Sequence, residues 1–227
     1  MVAGFGGRLC GGRLPDLPSI FHRGPGPAWP GPDVNTPAHL IFAAALLARP
    51  GARAGNMALL AGATIPDVSM PVMIIWQHWA ENRTLQQVFE EDFRSVFWQG
   101  VFAVDNSIPL WALVLVVGLL MRWRLAALCA AAALLHVSFD LVLHNEDARR
   151  HFWPLSDWMF RSPISYWDPA RYGRMVGAVE GVAALALCAV LWRRFDGVRA
   201  RALIVMAAGI EVLPTLALPI LVRLTGG

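Results

Sequence analysis

The run LLHVSFDLVLHNEDARRHFWPLS, Leu134–Ser156, closes a long apolar segment and yet carries His136, Asp140 and His144 at intervals of four. On an α-helix, residues four apart lie one above another, so the three side chains form one polar stripe on a rod otherwise made of Leu, Val, Phe and Ala. An ionisable group inside a bilayer costs about 2.5 to 3.5 kcal/mol on insertion scales, so such a stripe faces a partner and not lipid. An imidazole and a carboxylate one turn apart suit two ligands of one metal, or a ligand and the group that orients it. His144 stands about 12 Å along the axis from His136. It can therefore share an ion with Asp140 but hardly with His136, and two nearby ions or a substrate contact are its alternatives.

Composition frames that stripe. The 227 residues are 56% hydrophobic and only 15% charged, against about 25% charged in soluble domains, which points to an integral membrane protein. The basic residues are all Arg, and a scattered net charge of +3 argues against a nucleic-acid partner. Cys10, Cys129 and Cys188 lie far apart, two of them in apolar segments, so neither a disulfide framework nor a thiolate metal site is indicated.

Residues 1–35 are rich in Gly, Pro and Arg and lack the apolar core of a signal peptide. They are expected to be disordered, or to precede a native start near Val34. From residue 36 onward a single transmembrane helical domain, 36–227, is expected. Its apolar segments fall at 37–48, 56–80, 100–121, 125–144, 175–194 and 202–223, all but the first near the ~20 residues that cross a bilayer. The expectation is an all-α polytopic bundle of five to six spans. An amphipathic helix over 81–94 lies at the membrane surface, and the aromatic, Pro-rich loop 145–173 folds over the bundle end as a lid.

The short turns carry Arg49, Arg53, Arg122, Arg124, Arg193, Arg194, Arg199 and Arg201, which the positive-inside rule places in the cytoplasm. The opposite, periplasmic end then collects His39, His78, Asp105, Asn106, the 136–144 stripe and Glu180, flanked by Trp76, Trp79, Trp98, Trp153, Trp158 and Trp167 as an aromatic belt. Two further pieces can reach the stripe. Pro66 removes a helix hydrogen bond and leaves Asp67 in an apolar segment, a ligand on a broken helix. Thr36-Pro37-Ala38-His39 reads as a helix start, with Thr36 as cap and Pro37 at the first helical position. His39, Asp67, His136, Asp140 and His144 are thus the candidate metal ligands. The bland reading of these groups is a buried hydrogen-bond network that locks helices together; Glu211 could simply pair with an Arg.

An early His at a helix start, Pro66-Asp67, His136-x-x-x-Asp140 and Trp153-Pro154-Leu155 together resemble the bacterial membrane-bound metal-dependent hydrolases, the SOS-induced inner-membrane group, over about residues 36–170. Those proteins often carry an Arg-Gly-Thr-His-Ser segment near the first helix, where this chain has only Thr36-Pro37-Ala38-His39. The pattern is also distantly similar to the all-helical sites of zinc-dependent phospholipase C. The resemblance implies an enzyme of the inner membrane with one or two divalent ions.

His and carboxylate ligands favour Zn²⁺, with Glu180 or Asp105 as general base. The expected reaction is hydrolysis of an ester or phosphoester of a lipid or lipid-linked substrate at the periplasmic leaflet, with Arg149, Arg150 and Arg161 holding its anionic group. The competing class is a non-enzymatic membrane protein: a small transporter, a metal or proton-relay component, or a scaffold.

Overall fold

The structure, a computed structural model, describes residues 36–166 and 168–225, with side chains as far as residue 213; the expectations for the 1–35 tail and for Trp167 fall outside them. The described chain is helical. α1 (Thr36–Leu47), α2 (Arg53–Trp79), α4 (Val96–Asp105), α5 (Ile108–Leu120), α6 (Arg124–Leu143), α7 (Gly173–Arg194) and α8 (Val198–Thr225) build the bundle. Four spans, α2, α4 with α5, α6 and α7, are long and apolar enough to cross a membrane. The Leu, Val, Ile and Met residues they turn outward, such as Val72, Leu113, Leu120 and Val182, are strongly exposed. Such a surface suits lipid and not water. α1, at 12 residues, is too short to cross alone. It is wedged between α2, α6, α7 and α8.

Small residues set the packing. α6 is rich in alanine, and its contact with α2 is so close that a Cβ added at Gly62 would stand 1.9 Å from the Cys129 carbonyl oxygen. Gly118 of α5 plays the same part against the Ala127 backbone. Without a hydrophobic driving force between helices in lipid, close backbone approach of this kind is what holds a bundle together. At the Arg-rich end, the Arg194 guanidinium donates to the Ala45 and Ala48 carbonyls and so caps α1.

Several expectations are corrected. α2 runs unbroken through Pro66 and Pro71, and Asn106 Nδ2 donates to the Pro66 carbonyl at 3.4 Å, tying the end of α4 to it. The third apolar segment is instead divided. Asn106 ends α4, and Ser107 opens α5 by accepting from the Leu110 amide. The surface helix is reduced to α3 (Leu85–Gln87), started by a Thr84–Gln87 capping box, and a π-helical turn Val88–Asp92 whose Val88 is buried against Trp98 and Phe102. Trp98, 2% exposed, is therefore core and no part of an aromatic belt, whereas Trp76, Trp79 and Trp158 are exposed.

The connection from α6 to α7 packs down over the bundle end. Ser162 and Tyr166 amides donate to the His144 and Leu143 carbonyls, Ser162 Oγ to the Val142 carbonyl, and the Ile108 amide to the His151 carbonyl. Buried His151 meets the Asn106 carbonyl through Nδ1 at 3.0 Å. The free carbonyls at the end of α6 and the break between α4 and α5 are thereby satisfied inside the protein.

Candidate metal centre

Three helices bring the predicted ligands together. α1 places His39 in its first turn, the second half of α6 supplies His136 and Asp140, and α2 supplies Asp67 just after Pro66. Asp140 is the hub: its Oδ1 lies 3.2 Å from His39 Nε2 and its Oδ2 3.1 Å from His136 Nε2. Asp67 Oδ1 stands 3.3 Å from His136 Nε2, and His144 Nε2 is 3.5 Å from Asp140 Oδ1. The His39 and His136 rings stack with centroids 3.9 Å apart. Nitrogen and oxygen atoms of His39, His136 and Asp140 all lie within 4.8 Å of one another, and all three residues are buried.

These distances suit a cation. Tetrahedral zinc with bonds of 2.0–2.1 Å holds its ligand atoms about 3.4 Å apart, and the four separations around Asp140 and Asp67 bracket that value. The tautomer of His136 strengthens the fit. Its Nδ1 is 2.7 Å from the Ala63 carbonyl, which can only accept, so Nδ1 carries the hydrogen. In the neutral ring Nε2 then presents a lone pair to two carboxylates. No hydrogen bond of good geometry relieves it, and His39 Nδ1 is likewise buried without a partner. A positive charge between the ring and the carboxylates removes that repulsion, so a divalent ion fits these residues.

Three of the candidate ligands, His136, Asp67 and His144, have an orienting group behind them, as metal-binding side chains usually do. His136 is held by Ala63. Thr36 Oγ1 donates to Asp67 Oδ2 at 2.6 Å, which corrects the reading of Thr36 as a cap. His144 Nδ1 pairs with Asp147. Burial opposes a charge on His144, but Asp147 and Asp140 outweigh it and push its pKa up to about 10; a divalent ion there would compete with that proton. Thr36, Asp67 and His39 all belong to or contact the amino end of α1, whose unpaired amides and positive dipole also favour carboxylates. Glu211 of α8 accepts from one of those amides, at Ala38, in place of the expected Arg.

The other predicted residues separate. Glu180, buried on α7, bonds the Tyr166 hydroxyl through its carboxylate, keeps Oε1 without a partner, and lies close enough to Asp140 and His144 to interact with both. Asp105 lies against Ser69 on α2, and its backbone carbonyl accepts from Trp111 Nε1; it has no contact with the cluster among the described residues. His78 bonds the Arg83 carbonyl. Arg150 is taken up by Asp157 and the Gln99 carbonyl, and Arg161 faces Glu146 at 3.6 Å, whereas Arg149 points inward. Asp147 and Tyr166 were missed in the sequence. The signal for Asp147 was its place three residues after His144; Tyr166 reaches the site only through the fold of the loop.

Of the clustered side chains Asp67 is the most exposed, at 37%, whereas His39, His136 and Asp140 are buried. No family model, curated protein or solved structure matches the chain.

Proposed function

We propose that the chain is a membrane-embedded metal-dependent hydrolase that cleaves an ester or phosphoester of a lipid or lipid-linked substrate at the periplasmic leaflet of a bacterial inner membrane. The observation that carries this reading is the convergence of His39, His136 and Asp140, from two helices, on one buried point, with Asp67 and His144 at its edge. Scaffold networks need only pair their polar groups; here His136 Nε2 stands between two carboxylates without a well-formed hydrogen bond and a buried His39 nitrogen has no partner.

Charge supports the same reading. With neutral histidines, the carboxylates of Asp67, Asp140, Asp147 and Glu180 outnumber the one nearby guanidinium, Arg149, and the net negative charge favours a divalent cation. Zn²⁺ is the choice for this donor set. When bound, such an ion supplies Lewis-acid activation of water and of the scissile oxygen. The protein's own groups do the rest. His39, His136 and Asp140 fix the reaction's position, Asp147 and Ala63 hold the imidazoles in the required tautomer, and Glu180, held by the Tyr166 hydroxyl, receives the proton of the attacking water on its free Oε1. The Asp67 edge opens the site laterally, as a substrate anchored in lipid requires. The resemblance to membrane-bound metal-dependent hydrolases points the same way.

The test is hydrolysis of a chromogenic phosphodiester and of phospholipids in mixed micelles by the detergent-purified chain. Activity should vanish on chelation, return with Zn²⁺, and fall by about 10²- to 10⁴-fold in Glu180→Gln with metal content unchanged. Activity that survives both chelation and Asp140→Ala would rule the reading out.

A further inference from the structure

Among the described arginines Arg149 combines a sealed, unpartnered nitrogen with the absence of any ion pair. Its guanidinium carbon lies 4.1 Å from the Phe102 ring centroid and 5.0 Å from that of Phe93. Nη2 reaches only the Met70 sulfur, at 4.0 Å, and Nη1 is sealed from solvent with no partner. Among the described residues it joins none of the ion pairs, although Asp147, Asp140 and Asp67 are near enough to act on it through space. Other arginines are spent: Arg83 on Glu91 and Asp92, Arg150 on Asp157, Arg171 on Asp168, Arg194 on α1 carbonyls.

A sealed donor without an acceptor is expensive, and a guanidinium cannot escape by losing its proton. The aromatic faces recover part of the cost and fix the side chain's direction. Burial pulls the group's pKa below its ordinary value, against the pull of Asp147, so a counter-anion is favoured there. Met70, which the guanidinium touches, lies three residues beyond Asp67 on α2. Residues three apart share a helix face, so Arg149 lies beside the exposed Asp67 edge of the cluster. A planar fork beside a cation position suits a tetrahedral oxyanion, because one oxygen can meet the cation while others meet the fork.

We propose that Arg149 is the anion-recognition residue of this site, and that its ligand is the phosphate group of a phosphoester, held between the Arg149 guanidinium and the His39–His136–Asp140 position. This rests on the metal-site reading above and narrows it from esters in general to phosphoesters. A neutral carboxylic ester would leave Nη1 as it is.

The experiment is equilibrium binding of inorganic phosphate to the full chain in detergent, before and after Zn²⁺ loading, with Arg149→Gln, Arg149→Lys and the control Arg150→Gln. Wild type should bind one phosphate per chain, Arg149→Gln should bind at least tenfold more weakly with unchanged zinc content, Arg149→Lys should fall between, and Arg150→Gln should match wild type. Should Arg149→Gln fail to fold, phenylglyoxal modification of Arg149 in wild type, read by mass spectrometry, should be slowed by phosphate. Equal binding by wild type and Arg149→Gln, no phosphate binding by wild type, or no protection would overturn the proposal. Loss of phosphate binding in Arg149→Gln while wild type takes up no zinc would uphold the anion role and refute the metal reading alone. Phosphatidic acid in mixed micelles and glycerol phosphate identify the source. Tenfold tighter binding of the former assigns a lipid headgroup, and equal binding assigns a soluble phosphoester; both support a phosphate ligand.

Discussion

Asp140 is placed to serve as a ligand because its two oxygens face imidazole nitrogens of His39 on α1 and of His136 on its own helix, α6, and on the proposed reading the residues behind the imidazoles decide how well a cation is held. Orienting partners of metal ligands are worth about 10- to 100-fold in affinity. Asp147→Asn, which keeps the shape but weakens the hold on His144 Nδ1, should lower zinc affinity within that range in competition with a chromophoric chelator. Thr36→Val, which removes the donor to Asp67 Oδ2, should lower it by a similar or smaller factor, and His78→Ala by none. If neither Asp147→Asn nor Thr36→Val changes affinity, the outer partners are structural only. The sequence showed His136, Asp140 and His144 plainly, since a four-residue repeat on an apolar helix is a local pattern. It could show His39 and Asp67 only as single polar residues in apolar surroundings. That both reach Asp140 depends on how closely three helices pack, which no local pattern records. The Ala63 carbonyl was invisible for the same reason: any backbone can offer one, and only the fold says which does.

At the level of elements, the centre depends on α2 and α6 approaching until backbone meets backbone at Gly62 and Cys129. Gly62→Ala must push them apart, because the opposing atoms are backbone and cannot rotate away. We expect a loss of about 1 to 3 kcal/mol, read as a lower unfolding midpoint in detergent, together with weaker zinc binding, since Asp67 lies on α2 and His136 with Asp140 on α6. Unchanged midpoint and affinity would mean that this contact does not set the site. Apolar runs of the right length revealed the spans of α2, α6 and α7 within a few residues. Breaks were harder to foresee. Pro66 suggested a broken helix and left α2 continuous, whereas the α4–α5 span is interrupted at Asn106-Ser107, just ahead of Pro109 in the first turn of α5. At the α4–α5 break the freed backbone groups are met by His151, which donates to the Asn106 carbonyl and accepts from the Ile108 amide and comes from a distant part of the chain.

For the whole molecule, the short turns after α1, α5 and α7 carry the arginines at one end, and the carboxyl end of α6, with its ligands and its covering loop, lies at the other. The proposed orientation, from the positive-inside rule, has the end with the His and Asp cluster facing out of the cytoplasm. In a cysteine-free background, Ser156→Cys in the covering loop should react with a membrane-impermeant maleimide on intact cells, and Arg199→Cys at the other end should react only after lysis; the reverse pattern would invert the orientation. The central claim, that separate helices converge on a bound cation, is tested most directly by elemental analysis of the detergent-purified full chain. About one or two zinc ions per chain are expected in wild type, with little or none in His136→Ala and Asp140→Ala proteins that still fold. Wild-type protein that holds no stoichiometric metal and takes none up, or variants that hold as much as wild type, would contradict it.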